Sequence, residues 1–263
     1  MSNVKISIIT ISFNSEATIE ETIESVGCQD YENLEYIIVD GGSTDKTLDI
    51  IKRHHHLITK VISEKDEGIS DAFNKGIKAA TGDLIGIINS DDILLPGTLS
   101  RLAEEYEKGV DIYRMNIQIW NDVSGLKFKE IPSMNFPLTP LSIHVAHQGT
   151  FVDRKAYEKY GLFDTHLHYT MDIDFLTRCH QRNARMKYID HDAALFRLGG
   201  ATDTPLSKKR EDYIRLITNN GGSLLKAKCY YLYLKCFDMG KRALDIFGPD
   251  FKRKIRYSRQ HHL

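Results

Sequence analysis

The stretch DLIGIINSDDILL, residues 83–95, decides the fold class of this chain. Its apolar run at 84–88 predicts a buried strand that ends at the polar residues NSDD, 89–92. Ligands of open α/β sheets bind in the crevice beyond the carboxyl ends of the strands, which is where Asp91 and Asp92 would lie. Carboxylate oxygens suit a hard cation such as Mg²⁺ or Mn²⁺ that also carries substrate phosphates. The pair therefore indicates a metal site, and an ordinary strand-to-helix turn is the alternative.

Strand and helix patterns alternate four times within residues 1–108. Apolar, β-branched runs at 5–11, 36–39 and 58–62 predict three further strands, and helical spacing of apolar residues predicts a helix after each strand. This alternation implies a parallel sheet with helices on both faces. The sequence has neither GxGxxG after the first strand nor GxxxxGK[ST], which argues against a dinucleotide-binding enzyme and a P-loop ATPase.

Composition indicates an ordinary globular protein. The 263 residues are 41% hydrophobic and 27% charged, and their formal net charge of -1 gives no general attraction to nucleic acid. Four scattered cysteines without CxxC spacing predict reduced thiols rather than a disulfide framework. The chain shows no signal-peptide pattern and no apolar segment of about 18 residues, so we expect a cytoplasmic protein.

The C-terminal segment 223–263 differs from the rest of the chain in charge. It holds ten Lys or Arg and three Asp, a net charge of about +7. Its interleaved aromatic residues are Tyr230, Tyr231, Tyr233 and Phe237. Basic and aromatic residues on a helix suit an anionic membrane surface such as the inner face of the cell membrane. A solvated helix packed on its own catalytic domain explains the same composition.

Six separated blocks, taken together and in order, resemble one known family. They are SIITISFN (7–14), YIIVDGGSTD (36–45), SEKDEGISDAFNKGIKAATGDLIGIINSDD (63–92), HQGTFV (147–152), MDIDFLTR (171–178) and FRLGGAT (196–202). Over about residues 4–203 the chain resembles the bacterial family 2 glycosyltransferases that build surface polysaccharides. The resemblance implies the GT-A (nucleotide-diphospho-sugar transferase) fold, an α/β fold with a mostly parallel central sheet flanked by helices.

The resemblance also implies an activity and a division into domains. An enzyme of this kind transfers a sugar with inversion from a nucleotide sugar, here expected to be a UDP-sugar, with Mn²⁺ or Mg²⁺ as cofactor. The expected acceptor is a glycan or a polyprenyl-linked glycan, and no nucleic acid is expected as a partner. The implied domains are a catalytic domain, 1–204, with a nucleotide-binding half, 1–108, and an acceptor-binding half, 109–204, followed by a helical basic extension, 205–263.

Residue by residue, the resemblance implies a candidate site. Asp92 would ligate the metal, and Asp91 would hold the ribose or sugar side of the donor. Asp172 would be the base that takes the proton of the acceptor hydroxyl, although Met171 stands where the family usually has Glu. The other implied nucleotide or donor contacts are Thr10, Ser12, Asn14, Asp40, Asp71, Asn74 and Lys75. The implied acceptor or lid residues are His147, Gln148 and Arg197.

Several assignments keep an alternative. His147 suits the acceptor wall, and a neutral imidazole could also complete a metal shell or bind phosphate. Lys75 also fits a solvated helix face. Arg197, in a predicted mobile loop at 195–204 with Gly199 and Gly200, could close over the diphosphate or pair with a surface acid. Asp164 is a rival to Asp172 as the base.

Two other functions remain open at this point. A nucleotidyltransferase shares a nucleotide-binding α/β sheet, but a Gly-rich GxGxR-like loop would be expected after the first strand, and SFNSEAT (12–18) lacks it. A non-catalytic nucleotide-sugar-binding partner subunit would be favoured by loss of Asp92 or Asp172, and both residues are present.

Overall fold

The structure is a computed structural model that describes residues 4–121, 126–139, 145–198 and 204–245. The chain divides into two compact units, residues 1–203 and 204–263, which are treated separately below. The assignment of nucleotide and acceptor binding to the halves of the first unit stays a prediction.

The first unit is built on one nine-stranded sheet. Its strands are β1 (Ile6–Ser12), β2 (Leu34–Asp40), β3 (Lys60–Ser63), β4 (Leu84–Asn89), β5 (Ile93–Leu94), β6 (Ile112–Asn121), β7 (Leu126–Glu130), β8 (Thr150–Asp153) and β9 (Met186–Arg197). The order across the sheet is β3-β2-β1-β4-β8-β6-β9-β5, and β7 pairs with β6 off this path.

The first four strands form the parallel part that the sequence predicts, and the rest of the sheet is mixed. β1 pairs in parallel with β2 and β4, and β2 pairs in parallel with β3. Beyond β4 both pairings occur, because β8 is antiparallel to both β4 and β6 while β6 and β9 are parallel. The carboxyl ends of β1 to β4 therefore meet at one edge of the sheet, where a ligand crevice is expected.

Helices cover both faces of this sheet and create two apolar layers. They are α1 (Ile19–Gly27), α2 (Thr47–Arg53), α3 (Ile69–Ala79), α4 (Thr98–Glu104), α5 (Arg154–Tyr160) and α6 (Met171–Gln181). Successive residues of a strand point to opposite faces, so Ile8 packs with α1, α2 and α4, while Ile9 packs with α3, α5 and α6. The apolar spacing of Ile69, Phe73 and Ile77 explains why α3 buries one stripe against the sheet.

The prediction of a mobile loop beginning at residue 195 is wrong for its first three residues. β9 runs from Met186 to Arg197. The reason is pairing on both sides, since Trp120 of β6 opposes Arg197 and Ile93 of the short strand β5 opposes Leu195. Gly199 and Gly200, the other predicted lid residues, lie outside the described residues.

A buried polar network joins β1, β2 and the start of β4 at the opposite edge of the sheet. The Glu35 carboxylate accepts hydrogen bonds from Ser7 Oγ (2.5 Å), Thr81 N (2.7 Å), Thr81 Oγ1 (2.6 Å) and Lys5 Nζ (3.1 Å). Burial alone raises the pKa of Glu35, but these donors outweigh it and lower the pKa to about 2. The network is therefore a stabilising feature remote from the ligand edge.

The second unit contains two helices in its described part. These are α7 (Arg210–Asn219) and α8 (Leu224–Asp245), separated by residues 220–223. Leu216, Ile217, Ala227 and Tyr230 are buried and form the contact between them. No helix within the described ranges is both long and apolar enough to span a bilayer.

Candidate active site

The loops after β1 and β2 are tied together at the ligand edge. Asn14 has a positive φ of 49°, a conformation that asparagine tolerates better than most residues, and its backbone N–H donates to Ser43 Oγ (2.8 Å). The Thr44 backbone N–H donates in return to Asn14 Oδ1 (2.9 Å). The predicted donor contact Asn14 is thus the exposed link between two loops that line the crevice.

Asp40 organises the second of these loops from inside. Its carboxylate is fully buried and accepts from Ser12 Oγ (3.1 Å), Gly42 N (3.1 Å), Ser43 N (3.0 Å), Ser43 Oγ (2.5 Å) and Ser63 Oγ (3.1 Å). Five donors satisfy both carboxylate oxygens, and the predicted contact between Asp40 and a nucleobase stays a prediction. Ser12, another predicted contact, is likewise nearly buried and directed at Asp40.

Thr10, another predicted contact, is fully buried in β1, and its Oγ1 accepts the hydroxyl hydrogen of Tyr36 at 3.0 Å. Its role at the nucleotide stays a prediction. Phe13, directly after β1, is 62% exposed. The prediction missed Phe13, although a large aromatic side chain just after a strand, among polar loop residues, was a usable signal.

Two of the predicted α3 residues hold the neighbouring loop. Lys75 Nζ lies 3.0 Å from Glu64 Oε1 and 3.2 Å from Asp71 Oδ2, and it donates to the carbonyl of Lys65 (2.8 Å). The Glu67 backbone N–H donates to Asp71 Oδ2 at 3.2 Å. Asp71 and Lys75 therefore fix the chain between β3 and α3, and Lys75 is not on a freely solvated face.

Asn74, a predicted donor contact, is only 6% exposed, and its role at the donor stays a prediction. Its Nδ2 donates to the carbonyl of Phe163 (2.9 Å), and its Oδ1 accepts the Phe163 backbone N–H (3.0 Å). The side chain thus joins α3 to the segment before α6, a structural role that long-range contacts decide.

Asp92, the predicted metal ligand, is also buried, and its role as the ligand stays a prediction. It has no exposed surface, Gln148 Nε2 donates to its Oδ2 (2.7 Å), and the backbone N–H of Arg197 donates to its Oδ1 (3.2 Å). Burial, and secondly the charge of Asp91, raises the pKa of Asp92 to about 7. Asp92 joins β4 to β9 and to the turn His147–Gly149, and the buried Gln148 is its partner rather than an acceptor contact.

Asp91 is the carboxylate that stays partly exposed at the end of β4. Burial raises its pKa, and the charge of Arg197 opposes that shift. The described residues contain no group of three His, Cys, Asp or Glu side chains arranged to hold a metal. A single carboxylate is enough for a cation that takes its other ligands from substrate phosphates and water, as Mg²⁺ usually does. It is too few for a site in which the protein supplies every metal ligand.

Arg197 places a guanidinium beside Asp91. Its Nη2 lies 2.6 Å from Glu21 Oε2 of α1, and its Cζ lies 5.0 Å from the ring centroid of Trp120. The predicted alternative, pairing with a surface acid, is what this structure contains. The guanidinium nevertheless stands next to the only predicted metal-site carboxylate that a ligand can reach.

His147 connects the end of β4 to an interior cavity. Its Nε2 lies 3.2 Å from Asn89 Oδ1, and because that oxygen only accepts, Nε2 carries the hydrogen. The ring packs edge-on against Phe73 with 5.2 Å between centroids. Burial lowers the pKa of His147 to about 4, so the imidazole is neutral at pH 7.

The cavity beyond His147 contains the predicted base. It offers about 20 Å³ to the centres of water molecules, room for one or two waters. Its lining is mostly apolar and comprises Ile87, His147, Thr150, Val152, Tyr157, Phe163, Asp172, Phe175 and Leu176. Asp172 thus lines the same partly open cavity as His147, which is 25 residues away in the sequence.

Asp172 lies in the first turn of α6, where its Oδ1 accepts the backbone N–H of Ile173 at 2.8 Å. Burial raises the pKa of Asp172 to about 6, while the Ile173 N–H and the charge of Arg114 oppose the shift. A base with this pKa is ionised at neutral pH yet still accepts a proton readily. Asp164, the rival candidate for the base, is instead hydrogen-bonded to His166. Its Oδ1 lies 2.9 Å from the backbone N and 2.9 Å from the ring Nδ1 of that residue.

Arg114 is the second residue that sequence reasoning missed. It is fully buried in β6, with its Cζ 5.4 Å from the ring centroid of Phe136. Burial lowers the pKa of Arg114 to about 10, and the charges of Asp172 and Glu130 oppose this. A cation inside the apolar strand pattern of residues 112–119 was the available signal, because a buried charge needs a partner.

Known proteins with similar sequences cover most of the chain. The family model described as Glycosyl transferase family 2 matches residues 7–169, more than half of the sequence. The "Uncharacterized glycosyltransferase YwdF" of Bacillus subtilis (strain 168) is 26% identical over 257 residues, 91% of this chain and 92% of that protein. The "PGL/p-HBAD biosynthesis glycosyltransferase" of Mycobacterium bovis (strain BCG / Pasteur 1173P2) is 29% identical over 220 residues, 77% of this chain and 81% of that protein.

Solved structures share the fold at lower identity. S. aureus TarS 1-349 in complex with UDP-GlcNAc superposes with a TM-score of 0.63 at 18% identity, over 86% of this chain and 70% of that chain. The mannosyltransferase PcManGT from Pyrobaculum calidifontis, in complex with GDP-Man and Mn²⁺, gives a TM-score of 0.61 at 18% identity, over 87% and 70%. These likenesses confirm the GT-A fold class.

Proposed function

The chain belongs to glycosyl transferase family 2, and we propose that this glycosyltransferase moves a sugar with inversion from a UDP-sugar to a lipid-linked glycan, with a divalent metal as cofactor. The metal, the inversion, the nucleotide and the acceptor are the proposed parts. The proposed setting is surface polysaccharide biosynthesis at the inner face of the cell membrane. Family membership favours sugar transfer over nucleotidyl transfer and over a non-catalytic subunit.

One observation carries the proposal. His147 contacts Asn89, two residues from the exposed carboxylate of Asp91, and it lines the same cavity as Asp172. A donor bound at the ends of β1 to β4 would therefore present its sugar toward a buried carboxylate that is ionised at neutral pH. Single displacement needs this arrangement, a leaving-group site and a base on opposite sides of the reacting carbon.

The donor side would combine one aromatic ring with two charged side chains. Phe13 is exposed beside the loop after β2 and offers a face on which a nucleobase can stack. Asp91 would ligate the cation, and Arg197 would exchange Glu21 for the diphosphate. When bound, a divalent cation neutralises charge on the departing nucleoside diphosphate.

The acceptor side would complete an in-line displacement. The acceptor hydroxyl oxygen bonds to the anomeric carbon while the bond from that carbon to the diphosphate oxygen breaks. An Asp172 carboxylate oxygen takes the hydroxyl proton, and the nucleoside diphosphate leaves with the bonding electrons. Neutral His147 would orient the reacting groups without adding a charge. Attack from the face opposite the leaving group gives inversion.

The decisive experiment is a donor screen with the full chain. UDP-, dTDP- and GDP-sugars are incubated with and without Mn²⁺, and mass spectrometry detects hydrolysis or transfer to a polyprenyl-linked glycan. We expect turnover of one UDP-sugar that stops on chelation and in Asp172→Asn, but persists in the matched variant Asp164→Asn. If no nucleotide sugar is turned over or raises the melting temperature, the proposed function is wrong.

A further inference from the structure

Exposed apolar side chains in the described residues concentrate on α8. Of ten large hydrophobic residues that are exposed there, six lie on this one helix. Five side chains, spaced alternately by four and three residues, form one continuous stripe, which we call the outer ridge: Leu225, Cys229, Leu232, Cys236 and Met239. Leu225 is 72% exposed, Leu232 60% and Met239 62%. Such spacing keeps all five on one side of the helix.

The opposite side of α8 is already occupied. Ala227 is fully buried and Tyr230 is 6% exposed, and the Tyr230 ring lies 6.1 Å from the ring of Tyr213 on α7. α8 is therefore apolar on two sides, and only one of them is covered by α7. A soluble helix does not normally expose an apolar ridge about 20 Å long unless it contacts a partner.

The charges beside the outer ridge identify the partner. Lys226, Lys228 and Lys235 are exposed and flank the ridge on both sides. A second copy of α8 would bring lysines against lysines, whereas an anionic surface complements them. Charge is also distributed unevenly along the chain. The segment 223–263 has a net charge of about +7 and the whole chain has -1, so the preceding residues together carry about -8.

We propose that the outer ridge of α8 docks on an anionic lipid bilayer, lying in the interface with its lysines at the headgroups. The helix lies on the bilayer rather than across it, in keeping with its failure to qualify as a membrane span. This inference rests on the proposed function and deepens it, because a polyprenyl-linked acceptor is itself embedded in a bilayer.

Vesicle flotation tests the docking without any donor or acceptor. The full chain is mixed with vesicles of phosphatidylglycerol and phosphatidylcholine in equal parts, or of phosphatidylcholine alone. We expect binding to the anionic vesicles, and a partition coefficient at least tenfold lower for Leu225→Gln/Leu232→Gln. Lys228→Gln/Lys235→Gln should lower binding about 25-fold at low ionic strength.

Matched variants in the first unit show whether a loss of binding is specific to the outer ridge and its lysines. The alternative is that removal of any exposed apolar or basic side chain lowers binding. Ile131→Gln removes an apolar side chain that is also 60% exposed, and Lys60→Gln/Lys78→Gln removes two exposed lysines. Both should float like the unaltered chain. Equal losses in the matched variants, or no flotation of the unaltered chain, would overturn the docking. So would light scattering that shows a dimer lost in Leu225→Gln/Leu232→Gln, because a second copy would then cover the ridge.

Donor turnover in vesicle-free solution is measured on the same samples. If the chain floats with the vesicles but turns over no nucleotide sugar, the proposed function is wrong and the lipid docking is still supported. Turnover without flotation removes the docking alone.

Discussion

Replacement of Asp172 by Asn separates the role of this carboxylate in transfer from its effect on stability. The substitution keeps the size of the side chain and an oxygen that can accept the Ile173 N–H, but it removes the group that takes the proton. General bases contribute about 10²- to 10⁴-fold, so we expect transfer to fall by at least about 100-fold. Donor binding should change little, because the proposed role of Asp172 is at the acceptor hydroxyl and not at the donor.

The same variant should be more stable than the unaltered protein at neutral pH. The pKa of Asp172 is raised by burial from 3.8 to about 6, so the native state binds more protons than the unfolded chain between these values. The free energy of unfolding therefore falls as pH rises through this window, and the loss amounts to at most about 3 kcal/mol above it. Asn carries no charge to desolvate, so Asp172→Asn should recover part of that loss.

Two measurements check this reasoning. The rate of transfer by the unaltered enzyme should fall about tenfold from pH 7 to pH 5, with a midpoint near pH 6, as Asp172 becomes protonated. Urea unfolding should give Asp172→Asn the higher free energy at pH 8 and a smaller advantage at pH 4. Full turnover by Asp172→Asn would refute the assignment of the base. If Asp172→Asn has a lower free energy of unfolding at pH 8 than the unaltered protein, burial of the Asp172 charge does not destabilise the native state.

Three further substitutions test other parts of the structure. In calorimetry, Asp91→Asn should weaken Mn²⁺-dependent UDP binding at least tenfold, and Asp92→Asn should weaken it only about twofold. A larger loss in Asp92→Asn than in Asp91→Asn would identify Asp92 as the metal ligand. Asn74→Ala should lower the free energy of unfolding by about 1–3 kcal/mol in urea, since two backbone groups of Phe163 lose their partners; an unchanged value contradicts this role. Burial raises the pKa of Glu35 but its donors lower it to about 2, so its stabilisation is present above pH 4.5 and lost as pH falls toward 2. Glu35→Gln should therefore cost about 2 kcal/mol at pH 7 and much less at pH 3, and a cost independent of pH would count against the ionised carboxylate.

Local sequence signals predicted the elements of the first half well. Apolar runs bounded by polar residues led to β1, β2 and β4, and apolar spacing led to α3. The length of β9 escaped prediction because it depends on partners, β6 and β5, that are distant in the sequence. A local apolar pattern predicts a strand well when both faces of the strand are buried. It predicts the end of the strand less well when pairing with strands far away in the sequence extends it.

The candidate site shows the same limit. The pattern NSDD at 89–92 predicted a ligand edge, but it could not say which carboxylate faces the crevice. The two carboxylates lie in a turn in which the Asp92 N–H donates to the Asn89 carbonyl (3.1 Å), and the contacts of Asp92 with Gln148 and Arg197 show which one turns inward. Asn74 was assigned to the donor by the family resemblance, and the structure adds that its side chain bonds to the backbone of Phe163.

By itself, the sequence determined the α/β class, the ligand edge at the ends of the first four strands and the residue types that gather there. These follow from periodicity and from turn-forming residues, which act over a few positions. Tertiary structure alone decided that Asp91 is reachable while Asp92 is not, and that Asp172 and His147 share one cavity. Burial and electrostatic coupling depend on segments far apart in the chain, so their effects on charge and access appear only once those segments have packed.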